Sequence, residues 1–298
     1  MMAKFNPDRT ATDSMERAEA AFKRALDLNS ELALAHNLYA QFEVDAGRAQ
    51  AAMVRLLERA REGSADPELF AGLVVACRYC GLLDASVAAH DRAMRLDPSV
   101  RTSVSYTYFM LGDYERAAAE ERDRDGMMGA LAALDSPLAV AKYREIESSG
   151  HRSLWREAAA SARGAIAGRR EEVLAAVRRV MREGLHDPEA RYYFARPLAR
   201  AGEHGEALRL LDDVVEGGFF CHAGFARDPW LAGLHPLPEF DRILRRAEAR
   251  HRQAAHAFID AGGQRVLGLP RASSNDASTA WTRCRLTSAP CPRRSTRC

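Results

Sequence analysis

Glycines stand at a fixed interval in this chain: Gly47 is followed by Gly81, and Gly168 by Gly202, at the same step of 34. That step also links Phe22 to Leu56 to His90, and Ala18 to Ala52 to Ser86. A period of roughly 20–50 residues marks stacked supersecondary units, none of which can bury its apolar face alone. Each glycine lies between two helical apolar patterns, as in Phe70, Leu73, Cys77, then Gly81, then Val87, His90, Ala93 and Met94. The unit is therefore a helical hairpin. Glycine closes the first helix because it enters the left-handed conformation without a side-chain clash. Small residues just after it, such as Ala52, Ser86, Ala117 and Ala207, let the two helices approach closely.

Leu111-Gly112-Asp113-Tyr114-Glu115-Arg116-Ala117, the run from Ala18 through Phe22 to Ala25-Leu26-Asp27-Leu28, and Ala93-Met94-Arg95-Leu96-Asp97-Pro98 resemble the tetratricopeptide repeat. That family repeats about every 34 residues, with glycine at the turn, alanine on the second helix and proline between units. The resemblance implies an all-α superhelix, a solenoid of antiparallel helix pairs that binds a peptide or protein in its concave groove. Helix pairs are expected at 33–66, 67–98, 99–124, 153–187 and 188–217, with a lone second helix at 15–29, so that the array opens inside a repeat. Residues 1–14 are expected to be disordered, 15–124 to form a first array and 153–217 a second group. The irregular segment 125–152 lies between the two groups. It holds one helix from Pro137 to Glu147 and a glycine-rich stretch, Gly126-Met127-Met128-Gly129, that reads as a hinge or as an irregular repeat.

A cap is expected over 218–269. Asp228 has the character of a helix N-cap and Pro229 of a first helical residue, where the missing N–H has no intrahelical partner to lose. A long helix follows from Pro238, with Phe240, Ile243, Leu244, Ala247, Phe258 and Ile259 inward and Arg242, Arg245, Glu248 and Arg250 outward. Gly262-Gly263 ends it. The stretch from Gly217 to Leu269, with Phe219-Phe220-Cys221, Asp228-Pro229-Trp230-Leu231 and Ala261-Gly262-Gly263, resembles the C-terminal end of tetratricopeptide regions on bacterial serine/threonine kinases and adenylate-cyclase-like regulators. That implies the sensor or regulatory portion of such a protein. The kinase motifs themselves are absent from the sequence. Residues 270–298, rich in Ser, Thr, Arg, Pro and Cys without a period, are expected to be disordered.

Charge argues against a nucleic-acid partner. The chain carries +2 in all, but six arginines against Asp276 give residues 270–298 a charge of +5 and leave the rest at −3. A weakly acidic body lacks the basic face that a phosphate backbone requires. Met1 to Ser14 is polar, without the apolar core of a secretory signal, and no apolar run approaches the roughly 20 residues of a membrane span. The expectation is a cytoplasmic protein that does not engage membranes.

No catalytic, cofactor or metal site emerges. Cys77-x2-Cys80 could be half of a zinc or redox site, but a zinc site needs four ligands and no second pair follows. Cys77 falls on the inner face of its helix, as core thiols do. Cys284, Cys291 and Cys298 recur at every seventh position without other ligands, and His222, His251 and His256 form no triad. The reading is of a non-enzymatic scaffold without cofactors, its oligomeric state open. By the phasing of the first helices, Asn37, Gln41, Arg78, Tyr79, Thr102, Tyr106, Tyr192, Arg196 and Arg200 would face the groove, and tyrosine and arginine supply many binding hot spots. The lysine and asparagine pattern with which some tetratricopeptide co-chaperones clamp an acidic C-terminus is missing. Pro197, inside a first helix, removes one backbone bond and should kink it.

Overall fold

A computed structural model describes residues 11–63, 65–120, 127–148 and 154–270. Among them every regular element is a helix. Helix α1 (Ala11–Leu28) is followed by two pairs, α2 (Ala33–Asp45) with α3 (Ala49–Arg61) and α4 (Pro67–Tyr79) with α5 (Leu83–Leu96). A shorter pair, α6 (Val104–Leu111) and α7 (Tyr114–Ala119), leads to α8 (Met127–Ala132) and α9 (Pro137–Ser148). Two further pairs come next, α10 (Leu154–Ile166) with α11 (Arg170–Arg182) and α12 (Pro188–Arg200) with α13 (His204–Glu216). The chain then runs through α14 (His222–Arg227) and a 3-10 helix (Pro229–Leu234) into the long α15 (Pro238–Asp260) and the short α16 (Gly263–Leu267). The period is built in, since the starts of α2 and α4, α3 and α5, α10 and α12, and α11 and α13 are each separated by the same step as the turn glycines.

Local chemistry explains the boundaries. The turn glycines Gly47, Gly81, Gly112, Gly168 and Gly202 all have φ between 68° and 81°, the left-handed region in which a β-carbon is strained. Asp66 and Asp187 cap α4 and α12, accepting from Glu68 N at 2.9 Å and Ala190 N at 3.1 Å, and each precedes a proline in the first turn. Ala52, Ser86, Ala117 and Ala207 are wholly buried between their helices. Ser86 satisfies its hydroxyl by donating to Val74 O at 2.7 Å.

Three expectations need correction. Helix α1 begins at Ala11, so 11–14 are helical although their residues show no amphipathic stripe. Met127 to Ala132 is helical, with Met127, Met128 and Gly129 buried, so the segment holds a second helix beside the one expected from Pro137, in keeping with the irregular-repeat reading. With α9 it makes an irregular pair, α8 packing on α6 and α7 and α9 on α10. Arg250 does not point outward from α15: its guanidinium lies over the Phe220 ring at 4.5 Å and donates to the Val215 and Glu216 carbonyls. Pro197 lies inside α12, as expected, and the helix continues past it, with Ala201 N donating to Pro197 O at 2.9 Å. Residues 1–10 and 271–298, for which disorder is expected, lie outside the described residues.

The row of pairs curls back on itself. Arg78 on α4 reaches Glu189 on α12, a residue 111 positions away, through paired bonds of 2.8 and 2.9 Å. Phe220 N donates to Tyr79 O at 3.0 Å, and His251 Nδ1 lies 2.9 Å from Cys80 O. Turn meets turn at Gly218, where a β-carbon would stand 2.6 Å from Gly47 Cα.

Candidate functional site

The curl determines what becomes of the inner face. Its first helices α4, α6 and α12 surround the chain's own segment 219–234, in which Phe219, Phe220, Cys221, Phe225, Trp230, Leu231 and Leu234 are buried. Tyr79 meets Phe219 edge-on at 5.0 Å, Tyr192 lies tilted against Phe225 at 5.2 Å, and Tyr106 meets Tyr193 edge-on at 5.8 Å. The space that an outside peptide would occupy holds this segment.

The nine residues expected to face a groove are accordingly engaged within the fold. Asn37 is buried and donates to Glu68 Oε2 at 2.5 Å, while half-buried Gln41 donates to Asn37 Oδ1 at 3.1 Å. Arg78 is buried between Glu189 and Ser103, whose Oγ it reaches at 2.9 Å. Tyr79 donates to Asp187 Oδ1 at 3.0 Å. Thr102 pairs with His90 Nδ1 at 2.7 Å, and the Arg78 guanidinium sits over the half-buried Tyr106 ring at 5.5 Å. Tyr192 and Arg196 both donate to Asp228 Oδ2, each at 2.5 Å, and both are buried. Arg200, 44% exposed, donates to Asp135, which also accepts from Trp230 Nε1 at 2.7 Å. Phasing placed most of these side chains inward but carried no information about what would fill the interior. One signal for it was present: Phe219-Phe220-Cys221 is an apolar run without helical amphipathicity, which suits a segment buried on all sides.

An open cleft remains on the outer surface, between α3 and α15. It holds about 560 Å³ and is lined by Arg48, Gln50, Arg55, Phe220, Arg250 and Gln253, with Ala51 and Val54 on the α3 side and Glu58 as its carboxylate. Arg55 is fixed by Glu43 at 2.6 Å and stacks over Tyr39 at 4.8 Å. Arg48 is held by Glu19 at 3.1 Å. Arg250 has a different environment. Burial pushes its pKa below the ordinary arginine value, and among the described residues its bonds run to the two carbonyls at the end of α13. An arriving carboxylate would relieve that cost, because an opposite charge favours the ionised form. The cleft thus offers guanidinium and amide donors above an apolar strip. Sequence reasoning missed it because its walls come from helices remote from each other along the chain, which only the curl brings together.

The thiols are packed away. Cys77, Cys80 and Cys221 are buried, and burial alone lifts Cys77, and with small offsets Cys221, from 9.0 to about 12. Burial also depresses the His222 pKa. Among the described residues no three His, Cys, Asp or Glu side chains are grouped to hold a metal ion, and no helix is long and apolar enough to cross a membrane. Comparison with protein-family models and with curated proteins gives no match for this chain.

Proposed function

We propose that this chain is a tetratricopeptide-type solenoid acting as a non-enzymatic protein-interaction scaffold, and that it takes an extended, acidic segment of its partner in the cleft between α3 and α15. The cleft carries this reading: a trench of about 560 Å³ with three guanidiniums and two amides beside an apolar floor. Such a surface suits a peptide that alternates carboxylate and apolar side chains, since guanidinium pairs carboxylate in a fixed two-pronged geometry. The period of 34, the left-handed turn glycines and the buried small residues support the family assignment.

The test is fluorescence anisotropy with a labelled peptide alternating glutamate and leucine, against a lysine-for-glutamate control. Binding of the acidic peptide alone, weakened about tenfold by Arg250→Gln, corresponds to the loss of roughly 1.4 kcal/mol expected of one charge-assisted contact. Equal binding of both peptides, or indifference to Arg250→Gln and Arg48→Gln together, would overturn the reading.

A further inference from the structure

The cleft between α3 and α15 continues along the same two helices. Val54 and Arg61 on α3, and Gln253 and Asp260 on α15, are each seven positions apart, which is two helical turns and returns each helix to nearly the same face. Val54 and Gln253 line the cleft, while Arg61 and Asp260 line a second open cavity of about 500 Å³, completed by Gly262, Gln264, Arg265 and Leu269. Both α15 and α16 pack on α3. The early residues of α3 and α15 share the first cavity and their later residues the second, so the two helices run the same way. The second cavity lies ~10 Å further along one seam, at ~1.5 Å of rise per residue.

Two guanidiniums converge there. A β-carbon on Gly262, which has φ 78°, would lie 3.3 Å from Arg61 Cδ, 3.7 Å from Arg61 Nε and 4.0 Å from Arg265 Nη2. The glycine leaves that space open, and both side chains hang over the same turn of backbone. Among the described residues neither side chain forms an ion pair or a hydrogen bond, although Asp260 stands on the same cavity. Other arginines of α3 are tied down: Arg55 by Glu43, and Arg59 by Glu31 and Glu62. Two like charges brought together are relieved by an anion beside them. Across both cavities the arginines are Arg48, Arg55, Arg61, Arg250 and Arg265, and the only carboxylates are Glu58 and Asp260, in a body of charge −3 over residues 1–269. Residues 1–10, with Lys4 and Arg9 against Asp8, and residues 271–298, with six arginines against Asp276, are both net basic. The chain's own ends therefore have the wrong sign to fill the seam, and its charge suits an acidic segment of a partner.

We propose that the acidic segment held in the cleft runs on into this second cavity and sets a further carboxylate between Arg61 and Arg265, three or four residues beyond those held by Arg48 and Arg250. An extended chain advances ~3.3 Å per residue, so that many residues cover the ~10 Å between the cavities. The inference rests on the cleft reading above and adds the length and charge spacing of what binds. The test is fluorescence anisotropy with three labelled peptides: a short one alternating glutamate and leucine, a longer one that adds a glutamate pair four residues on, and the longer one with glutamine for that pair. The long acidic peptide should bind about tenfold tighter than the short one, and the glutamine version no tighter than the short one. Arg61→Gln/Arg265→Gln, at two exposed positions, should keep its helical circular dichroism and thermal midpoint, abolish the gain and leave the short peptide's affinity unchanged. A short peptide that binds while the long acidic one gains nothing, or a gain that survives the double substitution, overturns the extension and leaves the cleft standing. A short peptide that does not bind overturns both.

Discussion

Arg196 shows how far burial can take a charged side chain when its partners are in place. It is 1% exposed, its Nε donates to Asp228, and its guanidinium lies between the rings of Phe109 and Trp230, 4.7 Å from each. Burial alone would depress its pKa, yet Asp228 and Tyr192 hold it above the ordinary arginine value. Among the described residues its two Nη atoms find no hydrogen-bond partner, and the flanking rings supply the remaining attraction. Asp228 is the member that cannot be spared, because it serves Tyr192, Arg196 and Trp230 N together. Asp228→Asn keeps the shape and removes the charge, leaving a buried cation uncompensated, and should cost ~3 kcal/mol or more in urea unfolding. Adding Arg196→Met should restore part of that loss, since a buried pair replaced by apolar groups is often close to neutral. A single-variant loss below ~1 kcal/mol, or a double variant worse than the single, would show that the pair is not what holds this region. The inward direction of Arg196 was legible from its phase on α12, but Asp228 comes from a segment well beyond that helix and could not be matched to it by local pattern.

Helices and their turns were the most legible elements, because what sets them is local. A turn glycine, a small residue a few positions later and an Asp-Pro step act within one hairpin, and all three appear in the sequence in the order the structure uses them. The start of α1 and the α8 helix were not legible. Residues 11–14 carry no stripe, and Met127-Met128-Gly129-Ala130 owes its helicity to burial against α6, α7 and α9 rather than to a glycine-poor sequence. The closing contact between turns offers a clean measurement at this scale. Gly202 has φ 81° and a β-carbon there would meet nothing within 4 Å, whereas Gly218 has φ 102° and a β-carbon there would stand 2.6 Å from Gly47 Cα. Gly202→Ala should therefore cost only the backbone strain of about 1–2 kcal/mol, and Gly218→Ala clearly more, since backbone must also move. Equal losses in thermal or urea unfolding would mean that the Gly47 and Gly218 turns are not held together in solution.

For the molecule as a whole, the curl is the feature the period could not announce. A repeat fixes how neighbours stack, but contacts such as Arg78 with Glu189 depend on small rotations accumulated over several pairs, and these decide that the inner face holds segment 219–234 instead of a guest. The interior also holds acids that ionise only at high pH. Burial raises Cys77 and Cys221 to about 12, raises Cys80 well above its ordinary value, and raises Tyr79, Tyr143, Tyr192 and Tyr193 likewise. At neutral pH these groups are protonated in both folded and unfolded chains, so they add no slope. Above a thiol pKa of roughly 8.5 the unfolded chain releases protons that the folded chain keeps, and stability falls by up to about 1.4 kcal/mol per pH unit for each group. The decline should begin near that value, carried by the three thiols, and steepen above ~10 as the tyrosines of the unfolded chain ionise. Urea unfolding at a series of pH values checks it, with the Cys77→Ala/Cys80→Ala/Cys221→Ala variant flattening the first part of the decline and leaving the second. A wild-type profile that is level until tyrosine ionisation, or a first decline unchanged in the variant, would show that the thiols open to solvent and that the closed interior is not the state populated in solution.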